Sequence, residues 1–202
     1  MLNSPLPWVL IAVGLALAPR LPRLRQRYDN GALSPIRLAP SDAEDPALSV
    51  RLAAWVTDGA GSGASLLPWH HARVPRPLAT LRLSGTHAAA VRHFGHRLAG
   101  YHQLDERSRL GGILYRIGVQ LRPLLWCLPR RGDEPWDDAW LDQADDARVA
   151  ALSRWKPRRP TLIVLNRLPP TRVEEVIRAL DHAASAGGQP VRVLVLEAPP
   201  AA

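Results

Sequence analysis

The chain has one cysteine, one lysine and one phenylalanine among its 202 residues. Because Cys127 is alone, no intramolecular disulfide can form, and the sequence indicates neither a disulfide framework nor an oxidising compartment. Cys127 lies in the apolar run 124–128, which favours a buried thiol over a nucleophile. Apart from Lys156, all of the 26 lysine and arginine residues are arginines.

The chain also lacks the glycine motifs that hold phosphates or present a catalytic serine. Its glycine-rich loop, residues 59–63, has neither the GK[ST] ending of a P-loop nor the spacing GxGxxG. Ser62 is not framed as GxSxG, because alanines occupy positions 60 and 64. These absences favour a flexible loop over a ligand cradle.

Composition places the chain among globular proteins. Hydrophobic residues make up 47% and charged residues 22%, and the length suits one domain with an N-terminal extension. The net charge of +8 indicates an anionic partner, although abundant Arg, Ala, Gly and Pro are also typical of GC-rich coding sequences. Nucleic-acid binding through the arginine clusters is a second alternative but is not favoured, because only Trp155 is interleaved with the arginines of residues 154–159.

Residues 1–19 are a candidate membrane anchor. They carry no charge, and their number is close to the roughly 20 residues that span a bilayer core. By the positive-inside rule, the arginines that follow predict a single span with the remaining domain in the cytoplasm. The predicted membrane-interface residues are Trp8, Arg20, Arg23, Arg25 and Arg27.

Two alternatives to an anchor stay open. Ala16 and Ala18 resemble a signal-peptide cleavage site, but no basic residue precedes the apolar run and Pro19 follows the site. The segment could instead form a buried N-terminal helix or strand of a soluble cytoplasmic protein. Residues 20–47, rich in arginine and proline, are expected to be a linker.

Residues 48–202 are predicted to form a single α/β (or α+β) domain with a small mixed sheet. Strands are expected over residues 49–56, before a turn at Asp58, and over residues 78–83. A helix is expected over residues 87–103, with Val91, Phe94, Leu98 and Tyr101 on its buried face.

The middle of the chain contains an apolar and an acidic stretch. Residues 110–128 are interrupted by Arg116 and Arg122, which predicts a buried helix or strand pair rather than a second membrane span. The acidic residues between 133 and 146 lack the EF-hand spacing. Trp136, Trp140 and Leu141 among them predict an amphipathic helix, with solvated carboxylates, that runs to about residue 155.

The last forty residues predict a β-α-β unit. The apolar run 161–165 is typical of a strand covered on both faces, and residues 191–196 are a second such run. Thr171 and Glu174 have the spacing of a capping box at the start of the intervening helix. Because a helix joins them, the two strands are expected to be parallel. The predicted buried stripe of the helix is Val173, Val176, Ile177, Leu180 and Ala184.

Candidate functional residues follow from these elements. In parallel sheets ligands bind beyond the carboxyl ends of the strands, which indicates a weak anion site at Asn166 and Arg167. A hydrolase using His70 or His71 with Ser62 and Asp58 is the enzymatic alternative. No metal site or cofactor is predicted. His93 and His96, at i and i+3, are flanked by arginines that oppose a dication.

The function that the sequence favours is a membrane-anchored accessory domain without catalytic activity. Its expected partners are another protein and, through the N-terminus, membrane lipid. A component of an envelope complex and an immunity-type protein both fit this pattern.

Overall fold

The computed structural model describes residues 33–34, 36–39, 41–60, 76–105, 107–121, 135–157, 159–187 and 189–197. Several sequence predictions concern residues outside these ranges. They are the apolar segment 1–19, the linker up to residue 32, the glycine-rich loop beyond Ala60 and the apolar run 124–128.

The described residues form six α-helices and four β-strands. The helices are α1 (Pro46–Thr57), α2 (Ala88–Leu98), α3 (His102–Asp105), α4 (Arg109–Leu121), α5 (Asp146–Ser153) and α6 (Pro170–Gly187). The strands are β1 (Leu78–Ser84), β2 (Asp137–Leu141), β3 (Thr161–Asn166) and β4 (Val191–Glu197). A 3₁₀ turn, Gly85–His87, joins β1 to α2.

The four strands form one sheet in the order β1-β4-β3-β2, and each neighbouring pair is parallel. This confirms the α/β class and the C-terminal β-α-β unit. The antiparallel part of the predicted mixed sheet is limited, among the described residues, to one bridge at the edge of β2. There the Trp140 amide donates to the Ser34 carbonyl oxygen at 2.6 Å.

Helices cover both faces of the sheet and divide the core into two layers. Side chains alternate between the faces of a strand, so neighbours such as Ile163 and Val164 enter different layers. One layer contains α5 and α6, and the other contains α1 and α2. Because β3 and β4 are central and covered on both faces, nearly all of their residues are buried, as the two apolar runs predict.

Helix α6 has the predicted buried stripe but a different start. Val173, Val176, Leu180 and Ala184 are buried, and Ile177 is partly buried against them. The helix begins at Pro170, and the Pro169 carbonyl accepts the first helical hydrogen bond from the Val173 amide. The predicted capping box is therefore wrong. Proline at the first helical position suits its fixed φ and missing N–H, and the Glu174 carboxylate bonds to Arg82.

The strand predicted over residues 49–56 is wrong, because these residues lie in helix α1. Leu48, Leu52 and Val56 are four residues apart and all buried, which is helical spacing. The Asp45 side chain accepts a hydrogen bond from the Leu48 amide at 3.0 Å, and Pro46 begins the helix. The Asp-Pro start was the local signal for a helix in this stretch.

The single helix predicted across the acidic stretch is also wrong. Residues 137–141 form strand β2, and α5 begins only at Asp146, with the Asp145 side chain capping it. Asp137 and Asp138 are buried rather than solvated. Asp137 lies 3.8 Å from the buried guanidinium of Arg159. This ion pair offsets the cost of burying an aspartate in a strand, where aspartate is usually unfavourable.

The helix predicted over residues 87–103 is shorter than expected. Val91 and Phe94 are buried on α2 as predicted, with Leu98 partly buried. The helix ends at Leu98, and Gly100 takes a positive φ of 76°. A Cβ at Gly100 would collide with the Tyr115 hydroxyl, so glycine serves both the turn and the close approach of α4.

Helix α4 replaces part of the buried element that was predicted for residues 110–128. That prediction is wrong for its described apolar residues, because Leu110, Ile113, Leu114 and Ile117 are all exposed. Within the described ranges, no helix has the length and hydrophobicity needed to cross a membrane.

Arg192 is the largest side chain that is fully buried in the described fold. It lies second in β4, and its exposed fraction is 0%. Its guanidinium donates to the carbonyl oxygens of Val56 and Asp58 at 3.1 and 2.6 Å, and to those of Arg76 and Val191 at 3.1 and 3.3 Å. Burial lowers the pKa of Arg192, and the nearby Asp58 carboxylate opposes that shift.

Two of these bonds go to carbonyl oxygens at the C-terminal end of α1. The last carbonyls of a helix have no intrahelical donor and carry partial negative charge. Arg192 reaches the end of α1 and the residue that leads into β1, so one side chain fastens both to β4.

We expect Arg192→Met to lower the free energy of unfolding by about 3 to 5 kcal/mol, because several buried carbonyls lose their donor. The measurement is urea unfolding followed by tryptophan fluorescence. Arg82→Met is the control, because Arg82 forms exposed ion pairs and should contribute less than about 1 kcal/mol. Equal losses for the two variants would contradict the structural role of Arg192.

Candidate binding site at the carboxyl edge of the sheet

All four strands are parallel, so their carboxyl ends meet at one edge of the sheet. Open α/β sheets usually bind ligands at this edge. The strands end there at Ser84, Leu141, Asn166 and Glu197.

Asp142, directly after the outer strand β2, accepts two side-chain hydrogen bonds at one end of this edge. Its Oδ1 accepts hydrogen bonds from Trp140 Nε1 at 2.8 Å and from Asn166 Nδ2 at 2.7 Å. Asn166 is half-buried, and its Oδ1 is buried with no hydrogen-bond partner among the described residues. The amide of Asn166 therefore joins the ends of β2 and β3.

An arginine of α2 adds a second connection to the same edge. Arg92 forms a two-pronged ion pair with Asp42, with Nε–Oδ2 and Nη2–Oδ1 distances of 2.8 and 2.6 Å. Its guanidinium carbon also lies 5.4 Å from the centre of the Trp140 ring. The hydrogen bonds that Arg92 donates to Asp42 raise the pKa of Arg92, and the charge of Asp142 adds to this effect.

Asp42 is held as a carboxylate. The hydrogen bond from Arg92 lowers the pKa of Asp42 below its ordinary value, and the bond from the Ala39 amide at 2.8 Å adds to this shift. Burial opposes the shift, since the Asp42 side chain is only 1% exposed. The loop before α1 is thus tied to α2 by a charged pair.

Exposed ion pairs lie elsewhere along the carboxyl edge. Arg82 of β1 bonds to Glu174 and Glu197, and Arg172 of α6 bonds to Asp146 and Glu175. The N–O distances lie between 2.6 and 3.2 Å. Hydrogen bonding to Asp146, and then to Glu175, raises the pKa of Arg172. The carboxyl edge thus presents paired charges of both signs.

Arg167 has an unusual backbone conformation. Its φ is +55°, the left-handed region that non-glycine residues rarely adopt, and its amide donates to the Leu196 carbonyl at 3.0 Å. The exposed side chain of Arg167 follows Asn166 at this edge, where the sequence predicts an anion site. Pro169 and Pro170, which begin α6, contribute no N–H groups to bind an anion.

Of the residues of the predicted hydrolase, only Asp58 lies within the described residues. Asp58 lies at the opposite, amino edge, where it pairs with Arg76 at 2.8 Å. Ser62, His70 and His71 lie outside the described residues, as do the membrane-interface residues Trp8, Arg20, Arg23, Arg25 and Arg27.

Sequence reasoning missed Asp42, Arg92, Trp140 and Asp142. Asp42 lies in the segment predicted as a linker, Arg92 lies in the predicted helix 87–103 but not on its predicted buried face, and the other two lie in the predicted acidic helix. The short alternation of side chains from Trp140 to Asp142 was a weak local signal for the end of a strand. No local pattern links Asp42 to Arg92, because fifty residues separate them.

The histidines of α2 have separate surroundings. The His96 ring stacks on Tyr101 with its centre 5.3 Å away, whereas the Nδ1 atom of His93 is buried. Among the described residues there is no group of three or more His, Cys, Asp or Glu side chains placed to hold a metal ion.

Comparison with protein-family models, with curated proteins and with solved structures finds no match for this chain.

We expect Asp42→Asn to lower the free energy of unfolding by about 1 to 2 kcal/mol at pH 7, because a charged hydrogen-bond acceptor is lost. The folded pKa of Asp42 is depressed, so its contribution is present above the unfolded pKa of about 3.9 and is lost as pH falls through the folded pKa. Unfolding measured from pH 3 to pH 7 should show the two proteins converging in acid. Glu44→Gln, at the more exposed pair with Arg97, is the control. A pH-independent gap between wild type and Asp42→Asn would contradict the ion-pair explanation.

Replacing Arg167 by glycine should stabilise the domain by about 0.5 to 1 kcal/mol. The left-handed conformation costs an L-residue about 1 to 2 kcal/mol, and glycine avoids this cost. Part of the gain is lost because the unfolded chain has more conformational entropy with glycine at this position. Arg178→Gly, at an exposed site inside α6, should instead destabilise by about 1 kcal/mol. Thermal and urea unfolding compare the two, and destabilisation by Arg167→Gly would show that the Arg167 side chain has a stabilising role.

Proposed function

We propose that this chain is a membrane-anchored accessory domain that binds a protein partner and has no catalytic activity of its own. The observation that carries the proposal is the pairing of polar groups at the carboxyl edge. Trp140 and Asn166 both donate to Asp142, and Arg92 donates to Asp42. These hydrogen bonds hold the ends of β2 and β3 together and tie α2 to the loop before α1, which supports a structural and binding role for the edge over a catalytic one.

The surrounding charges suit recognition of another protein. Arg82 and Glu174 are more than half exposed, and Arg172 lies between two carboxylates. Charges of both signs at fixed positions orient a complementary partner and reject a like-charged one. An envelope-complex component and an immunity-type protein both fit this proposal.

The membrane part of the proposal rests on the sequence. Residues 1–19 carry no charge, and Arg20, Arg23, Arg25 and Arg27 follow them. A segment of this length spans the bilayer core with little room to spare, and flanking arginines extend its reach. With these arginines on the inner side, the domain lies in the cytoplasm.

Membrane fractionation tests the anchor. The full-length chain should remain in the membrane pellet through washes with high salt and with alkaline carbonate, because an apolar span is not held by charge. A variant that begins at Tyr28 should be soluble and should keep its circular dichroism spectrum. Release of the full-length chain by salt alone, or its appearance in the soluble fraction, would refute the anchor.

A further inference from the structure

Helix α4 has an apolar face that no described part of the chain covers. Leu110, Ile113, Leu114 and Ile117 are 76%, 52%, 69% and 45% exposed. Their spacing of i, i+3, i+4 and i+7 places them on one side of the helix. We call these four residues the α4 apolar face. Monomeric soluble proteins rarely expose such a contiguous apolar stripe, so it indicates an interaction surface.

A different side of α4 already contacts the domain. The hydroxyl of Tyr115 approaches Gly100, and the guanidinium carbon of Arg107 lies 4.7 Å from the centre of the Tyr115 ring. Tyr115 thus contacts the domain from a side of α4 that differs from the exposed α4 apolar face.

The charge of the surrounding sequence selects the occupant. Residues 107–132 contain no aspartate or glutamate, and Asp105, Glu106, Asp133 and Glu134 border them. Their charged residues are all arginines: Arg107, Arg109, Arg116, Arg122, Arg130 and Arg131. An apolar stripe on a helix within a wholly cationic stretch has the composition of helices that lie in the interface of an anionic membrane.

We propose that the α4 apolar face binds the surface of an anionic lipid bilayer, with its Leu and Ile side chains in the headgroup region. The helix has 13 residues, which gives a length of about 20 Å against a hydrocarbon core of about 30 Å. It therefore lies along the membrane surface and does not cross it. This contact is separate from residues 1–19 and goes beyond the proposed function.

Charge disfavours the other occupants that the chain itself offers. A second copy would bring together two stretches whose charged residues are all arginines, and like charges at an interface repel each other. The apolar segment 1–19 is followed by four more arginines, so it would bring the same sign of charge to the face. Phosphate-bearing headgroups supply the opposite sign.

The test places an environment-sensitive dye on the face in the full-length chain. The variant Leu114→Cys is made together with Cys127→Ser, so that the dye attaches at one position. Val50→Cys, again with Cys127→Ser, is the matched control, because Val50 is a single apolar residue of α1 that is 71% exposed. Dye emission and quenching by acrylamide are measured without vesicles, with phosphatidylcholine vesicles, and with vesicles containing phosphatidylglycerol.

We expect the dye at position 114 to shift to the blue and to lose acrylamide quenching several-fold on the anionic vesicles. The dye at position 50 should stay aqueous throughout. Raising the salt concentration from about 0.1 to 1 M, which shortens the Debye length from about 10 to 3 Å, should reduce the response at position 114.

Three results would overturn the proposal. One is a dye at position 114 that stays aqueous on anionic vesicles. Another is equal burial on the neutral vesicles, which would remove the role of charge. The third is burial without vesicles, which would identify a second copy if it depends on protein concentration and the chain's own apolar segment if it does not. Vesicle pelleting, recorded in parallel, reports the anchor separately, so failure of the anchor and failure of this contact are distinguishable.

Discussion

The guanidinium of Arg192 determines how the N-terminal half of the described domain meets the sheet. It is buried at the start of β4, and it donates to carbonyls at the end of α1 and before β1. Removing such a cation from water is costly, and only an enclosing set of acceptors compensates this cost. The positions of α1 and β1 therefore depend on one another through one side chain, and α1 in turn supports the second core layer.

Several charged side chains are buried at the amino edge of the sheet, whereas those at its carboxyl edge are mostly exposed. At the amino edge, Arg192 and the pair formed by Asp137 and Arg159 are buried and stabilise the fold. At the carboxyl edge, Trp140 and Asn166 bond to the exposed Asp142 after the outer strand β2, and exposed ion pairs lie farther along the edge. The buried charges fix strand positions, whereas the exposed ones contribute little stability and are free to meet a partner. The α4 apolar face is a third surface, set apart by its hydrophobicity.

Where local sequence and tertiary surroundings agree, the sequence predicted the structure. Strands β3 and β4 are apolar runs of the right length, and α6 carries its stripe between them, so both levels favour the same elements. The proposed site at Asn166 and Arg167 also followed from this parallel unit. Its other members did not, since Asp42 reaches Arg92 across fifty residues and Asp142 was assigned to a helix.

The sequence by itself thus determined the α/β class, the C-terminal β-α-β unit and the absence of a disulfide, because these depend on apolar periodicity and residue counts. Tertiary structure alone decided that residues 137–141 become a strand despite two aspartates, and that the apolar residues of α4 face outward. The residue pattern of a segment shows which side chains it can bury, but it does not show which other segment packs against them. Asp137 pairs with Arg159, whereas no described residue packs over the α4 apolar face.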